Sequence, residues 1–270
     1  MRRLCRKRRH LKLALTITVL LYCLAFSNRV SAVTSYQLHS PDNRIQVIVR
    51  VDEQISYDVT VNGKLLLQNS TISLNVDHHA LGKNAKVDAV KTDAVDRTVE
   101  PVVKQKFAKI QEHYNELRLS LTGNFSLTFR AYNEGVAYRL ETSLPQTEIK
   151  VYSEEANLNF GDNYAVYYPR EESFFSHNER EFVQLPLNQI AANSLASLPA
   201  VLVAPDHVKL VVAESDVDDY PGLWLHGNTN NSLTAVFPPY PFQDDFIRNS
   251  KLKIHMMGGG GWAARILPQR

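Results

Sequence analysis

The feature that most restricts the fold is an alternation of apolar and polar residues, which recurs from Tyr36 to about Leu140. Apolar side chains occupy every second position at Ile45, Val47, Val49 and Val51, and again at Ile55, Tyr57, Val59 and Val61. A period of two places these side chains on one face of an extended strand, so each run predicts a strand with one buried face. Sheets that are packed on one side only are typically antiparallel.

Short turn sequences separate these runs. Asn62-Gly63 follows the second run and is the strongest short hairpin signal, because both residues tolerate positive φ. Thr122-Gly123-Asn124 and Asn133-Glu134-Gly135 separate three later runs in the same way. Three strands joined by two short turns predict an antiparallel meander.

Evidence for helices is thin. The one candidate is Leu187–Leu195, and it is weakened by the poor helix formers Asn188, Asn193 and Ser194. Many strand-like runs, short turns and almost no helix predict an all-β fold, a large antiparallel β-sandwich. The roughly 235 residues that follow the N-terminal segment are within the size of one large all-β domain.

The first 32 residues have the layout of a secretory signal peptide. Basic residues between positions 2 and 12 precede an apolar run, Leu13–Phe26, and Val30-Ser31-Ala32 supplies small residues before a cleavage site. The run is shorter than the roughly 20 residues that span a bilayer. We therefore predict cleavage after Ala32, a periplasmic or secreted protein, and no membrane span in the mature chain. An uncleaved N-terminal anchor is the competing interpretation.

Removal of this segment would change the charge and the cysteine content. Eight of the 30 Lys and Arg residues lie in 1–32 and none of the 28 acidic residues does, so the mature chain would carry 22 basic and 28 acidic residues, a net charge of −6. Nucleic-acid binding, which relies on clustered basic side chains, is therefore disfavoured. Both cysteines, Cys5 and Cys23, would also be removed, which excludes a disulfide framework and a thiol nucleophile.

Acidic residues cluster where a predicted strand ends. The apolar run Val208–Ala213 leads directly into Glu214, Asp216, Asp218 and Asp219. Carboxylates at the end of a rigid strand offer hard oxygen ligands to Ca²⁺. Tyr220 and Trp224 follow, and their rings offer flat surfaces on which a sugar could stack. The cluster is thus a candidate metal site, and Asp216, Tyr220 and Trp224 are candidate substrate-binding residues; a solvated acidic turn is the alternative.

Several separate motifs occur in the order in which one known family has them. They are Ser40-Pro41-Asp42-Asn43-Arg44-Ile45, Ile55-Ser56-Tyr57, His113-Tyr114-Asn115-Glu116-Leu117, Phe129-Arg130-Ala131-Tyr132-Asn133-Glu134-Gly135-Val136-Ala137-Tyr138-Arg139, and Glu214-Ser215-Asp216-Val217-Asp218-Asp219-Tyr220-Pro221-Gly222. From about Tyr36 to Pro241 the chain therefore resembles the N-terminal domain of glycoside hydrolase family 97, the exported α-glucosidases and α-galactosidases of the Bacteroides type.

The resemblance implies a β-super-sandwich, similar to galactose-mutarotase-like sandwiches, that packs in the family against a following catalytic (β/α)8 barrel. It also implies calcium dependence, because the family's N-terminal domain contributes a glutamate to a Ca²⁺ ion at the active site of the barrel. The matching residue here is Glu214. The catalytic carboxylates come from the barrel, so we expect no catalytic residue in this chain and no activity of the chain alone. The resemblance leaves open gluco- or galacto-specificity and retention or inversion.

The chain departs from the family pattern after Pro241. Where the family continues into the barrel, this sequence contains four glycines, Gly258–Gly261, and then Trp262–Arg270. Because consecutive glycines have high backbone entropy and no side chains to pack, we expect 246–270 to be a poorly ordered tail. The departure from the family pattern leads to the hypothesis of a truncated or frameshifted gene product. The predicted organisation is a signal peptide at 1–32, a sandwich domain at 33–245 and this tail.

Two classes of function remain open. The first is the N-terminal, carbohydrate-binding or supporting domain of an exported calcium-dependent α-glycosidase, with an α-linked oligosaccharide and a barrel in cis as partners. The second is a stand-alone periplasmic carbohydrate-binding sandwich without catalysis. Hydrolysis by Glu214 and Asp216 themselves is not indicated, because any acidic pair at i and i+2 on a strand has a similar spacing.

Overall fold

The computed structural model describes residues 34–104, 106–146, 149–205, 207–215, 220–228, 230–238 and, for the backbone alone, 261–267. Apart from turns and loops, the secondary structure of these residues consists of β-strands and one 3₁₀ turn at Leu187–Gln189. Within the described ranges, no helix has the length and apolar character needed to cross a membrane. The predicted signal peptide lies outside these residues.

Eighteen strands run through the described residues. The first nine are β1 Ser35–His39, β2 Ile45–Val51, β3 Ile55–Val61, β4 Lys64–Val76, β5 His79–Leu81, β6 Val87–Val99, β7 Ile110–Leu121, β8 Phe125–Tyr132 and β9 Gly135–Thr142. The others are β10 Val151–Asn159, β11 Ala165–Glu171, β12 Phe182–Pro186, β13 Leu195–Ala196, β14 Ala200–Val203, β15 Lys209–Ser215, β16 Trp224–Asn228, β17 Ser232–Val236 and β18 Gly261–Leu267.

The strands form two antiparallel sheets. Sheet I has the order β1-β2-β3-β4-β10-β17-β16-β13-β11, with β5 paired to the end of β4. Sheet II has the order β6-β7-β8-β9-β18-β15-β14-β11-β12. Strand β11 belongs to both, because Ala165–Tyr167 pair with β14 and Arg170–Glu171 pair with β13. The predicted all-β antiparallel sandwich is confirmed.

The core lies between the inner faces of the two sheets. Tyr57 of sheet I packs on Phe129 and Tyr138 of sheet II, with ring centroids 5.3 and 6.1 Å apart. All three residues are buried. Burial alternates along the strands as the apolar and polar residues do in the sequence. In β2, for example, Ile45, Val47 and Val49 are buried and the residues between them are partly exposed. Tilted aromatic contacts of this kind add to the apolar burial that holds the sheets together.

The predicted turns and meander are present. Asn62 and Gly63 have φ values of 50° and 79° and connect β3 to β4, as a two-residue hairpin with positive φ at both positions requires. Strands β7, β8 and β9 pair in sequence as the predicted meander.

Gly63→Ala is expected to destabilise the protein by about 1 kcal/mol, because an L-residue is strained at positive φ even though a Cβ there would meet open space. Urea unfolding of the variant and the parent protein measures this difference. Asn62→Gly is the control, since glycine adopts the φ of 50° without strain. Equal stability of Gly63→Ala and the parent protein would contradict the prediction.

One local expectation differs from the structure: the helix candidate Leu187–Leu195 forms only the 3₁₀ turn Leu187–Gln189, after which Leu195 enters β13. The order of the predicted tail, 246–270, stays a prediction. Within it the structure describes the backbone of β18, which pairs with β15 from Ser215–Gly261 to Lys209–Leu267 and also with β9. The facing edges of β9 and β15 offer backbone groups that a strand between them can satisfy, which is a physical reason for this pairing. The rest of 246–270 lies outside the described residues, and the predicted domain boundaries stay predictions.

Candidate functional site

Glu214 lies at the end of β15, on the rim of the core. It shares the face of Leu210 and Val212, which are buried, but it comes late enough in the strand to keep part of its surface in solvent. Its Oε2 accepts a hydrogen bond of 2.7 Å from the backbone N–H of Leu223. The β15 strand therefore fixes the backbone of Glu214, and Leu223 orients its carboxylate.

A second carboxylate, Glu154, reaches the same region from the other sheet. It lies on β10 of sheet I, on the face of the buried Ala156 and Leu158. Its Oε2 accepts a hydrogen bond of 2.8 Å from the Tyr220 hydroxyl. Glu154 and Glu214 interact electrostatically, so two like charges from facing sheets are close to each other.

The surroundings favour the protonated form of both carboxyl groups. The pKa of Glu154 is raised to about 7, chiefly by burial and also by the charge of Glu214, against the lowering effect of the hydrogen bond from Tyr220. Burial also raises the pKa of Glu214, against the opposing effect of the Leu223 N–H. A nearby cation would relieve both effects, because an opposite charge stabilises the ionised form of a desolvated carboxyl group.

Two tyrosines, Tyr138 and Tyr220, interact electrostatically with the carboxylate pair. Burial raises the pKa of Tyr138 and of Tyr220, and the charge of Glu154 is the next largest cause for each. Both side chains are therefore neutral around pH 7, and the Tyr220 hydroxyl can donate its proton in the hydrogen bond to Glu154. Tyr57 also contributes to the raised pKa of Tyr138.

The two aromatic candidates from the sequence, Tyr220 and Trp224, lie on either side of residues 221–223. The Tyr220 ring contacts Phe237 edge-on, with centroids 5.8 Å apart. The Trp224 ring contacts Phe174 edge-on, at 5.4 Å. Both rings are partly exposed. Whether they stack on a sugar stays a prediction, as does a binding role for Asp216, which lies outside the described residues together with Asp218 and Asp219.

The donor chemistry of the site fits a hard cation, but its described donor set is small. Within the described ranges, no group of three or more His, Cys, Asp or Glu side chains is placed to hold a metal ion. Ca²⁺ prefers oxygen ligands, above all carboxylates. It binds six to eight oxygen atoms, which come from carboxylates, carbonyl groups and water. Glu214 and its neighbourhood thus fit one side of a calcium site whose other ligands would come from elsewhere.

A cavity of about 460 Å³ lies on the opposite face of β15. Val211 and Ala213 line it, together with Gln111, His113 and Tyr132 and residues of the β8–β9 turn. Because Val211 and Ala213 alternate with Leu210 and Val212, this cavity faces away from the core rim. It does not involve the carboxylate pair.

Sequence reasoning identified Glu214 and missed Glu154. The segment Glu154-Glu155-Ala156-Asn157-Leu158 indicates the position of Glu154. In a strand, Glu154 lies on the same face as the apolar Ala156 and Leu158, whereas Glu155 lies on the face of Asn157. A carboxylate on the apolar side of a strand is costly unless it has partners, and it therefore points to a special environment.

Comparison with known proteins gives the same family for most of the chain. Residues 38–261 match the family described as Glycosyl-hydrolase 97 N-terminal. A retaining alpha-galactosidase of Bacteroides thetaiotaomicron is 30% identical over 236 residues, which are 83% of this chain and 35% of that protein. The chain thus spans about a third of the length of this relative.

Two solved structures share the fold. A variant of a Glycoside Hydrolase Family 97 enzyme from Pseudoalteromonas sp. strain K8 superposes with a TM-score of 0.71 at 17% identity, covering 86% of this chain and 35% of the other. A beta-arabinopyranosidase superposes with a TM-score of 0.68 at 20% identity, covering 87% of this chain and 38% of the other. At these identities the likeness establishes the sandwich fold alone.

Proposed function

The chain belongs to the family of glycoside hydrolase 97 N-terminal domains, and from this premise we propose that it supplies Glu214 as one ligand of a Ca²⁺ ion in an active site completed by a catalytic barrel outside these residues. The complete enzyme would be an exported α-glycosidase that acts on an α-linked oligosaccharide. Residues 1–32 would direct its export.

The observation that carries the proposal is the state of the Glu214 carboxylate. It is held by the Leu223 N–H at 2.7 Å, lies at the open end of a rigid strand, and has a raised pKa because it is partly desolvated. A pre-oriented carboxylate loses little conformational entropy when it binds a cation. When bound, Ca²⁺ would supply positive charge and orient substrate oxygens, while Glu214 would only hold it.

The length of the relatives supports a division of labour. The chain covers 35% of the Bacteroides galactosidase and of the Pseudoalteromonas enzyme. The remaining two thirds of such proteins have room for a catalytic domain. We propose that the acid, base or nucleophile carboxylates lie there, and that the sandwich supports the site and contacts the substrate through Tyr220 or Trp224.

Glu214→Gln is expected to weaken Ca²⁺ binding at least about tenfold, because a neutral amide is a far poorer partner for a divalent cation than a carboxylate. Isothermal titration of the full chain with CaCl₂, after removal of metal with a chelator, measures the affinity. We expect weak binding by the parent chain, since the described donor set is small.

Glu155→Gln is the matched control. Glu155 is the neighbouring glutamate on β10, but its carboxylate bonds to Thr71, Ser73 and Lys83 on the other face of the sheet. Its replacement should leave the Ca²⁺ affinity unchanged. Equal affinity of Glu214→Gln and the parent chain would overturn the proposal.

A further inference from the structure

The turn formed by Tyr220–Leu223, called here the 220–223 turn, is attached at both ends to glutamates of facing sheets. Its first residue donates from the Tyr220 hydroxyl to Glu154 Oε2 of sheet I at 2.8 Å. Its last residue donates from the Leu223 N–H to Glu214 Oε2 at the end of β15 in sheet II at 2.7 Å. A change at Glu154 therefore reaches Glu214 through four residues of backbone.

These four residues form a stiff connection. Pro221 fixes its own φ. A Cβ placed on Gly222 would lie 3.8 Å from Glu214 Oε2, so the backbone of the turn passes close to that carboxylate. Leu223 is buried at 7% exposure, and the Tyr220 ring contacts Phe237. A displacement of Tyr220 would therefore also displace the Leu223 N–H, because the residues between them have little conformational freedom.

We propose that Glu154 is a positioning residue: by accepting the Tyr220 hydroxyl bond it fixes the 220–223 turn, and with it the Leu223 N–H that orients the Glu214 carboxylate. The consequence for Ca²⁺ binding rests on the proposed function. The connection between the two glutamates does not, because both hydrogen bonds belong to the chain itself.

Substitutions at Glu154 and Tyr220 can be divided into those that keep the hydrogen bond between the two side chains and those that remove it. The hydroxyl of Tyr220 needs only an oxygen acceptor at position 154, which a carboxylate, a carboxylic acid and an amide all provide. Glu154→Gln should therefore keep the connection, whereas Glu154→Ala removes the acceptor. Tyr220→Phe removes the donor and retains the ring that contacts Phe237.

Hydrogen exchange of the Leu223 amide in the full, metal-free chain tests the connection directly. Exchange through local opening should become at least about tenfold faster in Tyr220→Phe and in Glu154→Ala, and should change less than about threefold in Glu154→Gln. The double variant Tyr220→Phe/Glu154→Ala should match the Tyr220→Phe variant, since the bond can be lost only once. The amide of Leu119, deep in β7, reports global unfolding in the same samples.

Tyr164→Phe is the matched control. Tyr164 is a buried tyrosine whose hydroxyl also donates to an oxygen, the Leu66 carbonyl, and whose ring contacts Phe160. Its replacement should leave exchange at Leu223 unchanged relative to Leu119. Unchanged Leu223 exchange in both Tyr220→Phe and Glu154→Ala would overturn the inference.

Titration of the same variants with CaCl₂ separates this inference from the proposed function. Ca²⁺ affinity should fall in Tyr220→Phe and Glu154→Ala and recover in Glu154→Gln. If the parent chain bound no Ca²⁺ while Leu223 exchange still responded, the calcium proposal would fail and the connection would stand. If the parent chain bound Ca²⁺ and Leu223 exchange did not respond, the connection would fail and Glu214 would keep its proposed role.

Discussion

Gly227→Ala is expected to destabilise the protein by about 3 kcal/mol or to prevent folding, because the site has no room for a side chain. A Cβ on Gly227 would lie 2.4 Å from the Ala191 carbonyl oxygen and 2.6 Å from Ile190 Cγ2. The first of these atoms is backbone, so relief would require β16 to separate from the segment that precedes β13. Those elements are held together by the Gly227 N–H, which donates to Ser194 O.

Urea unfolding followed by far-ultraviolet circular dichroism measures the loss. Gly222→Ala is the matched control, because the nearest atom to its added Cβ is 3.8 Å away, an ordinary contact. It should unfold within about 0.5 kcal/mol of the parent chain. A Gly227→Ala protein as stable as Gly222→Ala would show that β16 is not packed against 190–191 in solution.

The parts of the fold that the sequence predicted are those fixed by neighbouring residues. The β3–β4 hairpin follows from Asn62-Gly63, and the β7–β9 meander follows from alternation interrupted by two short turns. Each strand in these units pairs with the next strand along the chain. Local pattern and turn chemistry are enough to specify such pairings.

The parts that it did not predict depend on distant pairings. Strand β18 enters between β9 and β15, more than 40 residues from the end of β15 and more than 110 from the end of β9. Its first residue, Gly261, ends a run of four glycines that locally indicates disorder. Likewise, Leu195 pairs with His226 in β13–β16 instead of ending a helix, because the backbone groups of β16 require partners.

The candidate site shows the same division. Glu214 was identified because it closes an apolar strand within a motif of known spacing. Glu154 is 60 residues earlier, on β10 of sheet I, and it comes near Glu214, on β15 of sheet II, only because the two sheets pack against each other. The sequence shows that Glu154 lies on the apolar face of its strand. It does not show that Tyr220 is its partner, because the hydrogen bond from Tyr220 to Glu154 joins residues 66 positions apart.

The stability of the metal-free protein is expected to fall by about 2.5 kcal/mol between pH 5 and pH 8 because of Glu154. Its pKa is raised from 4.5 to about 7 in the folded protein, chiefly by burial. Above pH 4.5 the unfolded chain releases this proton and the folded protein keeps it, so rising pH favours unfolding until the folded group also ionises near pH 7. The raised pKa of Glu214 acts in the same direction.

Urea unfolding at pH 5, 6, 7 and 8 in buffer with a chelator measures this slope, and Glu154→Gln should flatten it because an amide does not titrate. Glu155→Gln is the control: burial would raise the pKa of Glu155, but bonds from Thr71, Lys83 and Ser73 bring it below its ordinary value. The stability that Glu155 contributes is therefore lost only as pH falls below about 4.5, and its replacement should leave the slope between pH 5 and 8 unchanged. An equally steep fall in Glu154→Gln would mean that Glu154 is ionised in the folded protein, and that desolvation at the core rim is weaker than the burial of its carboxylate implies.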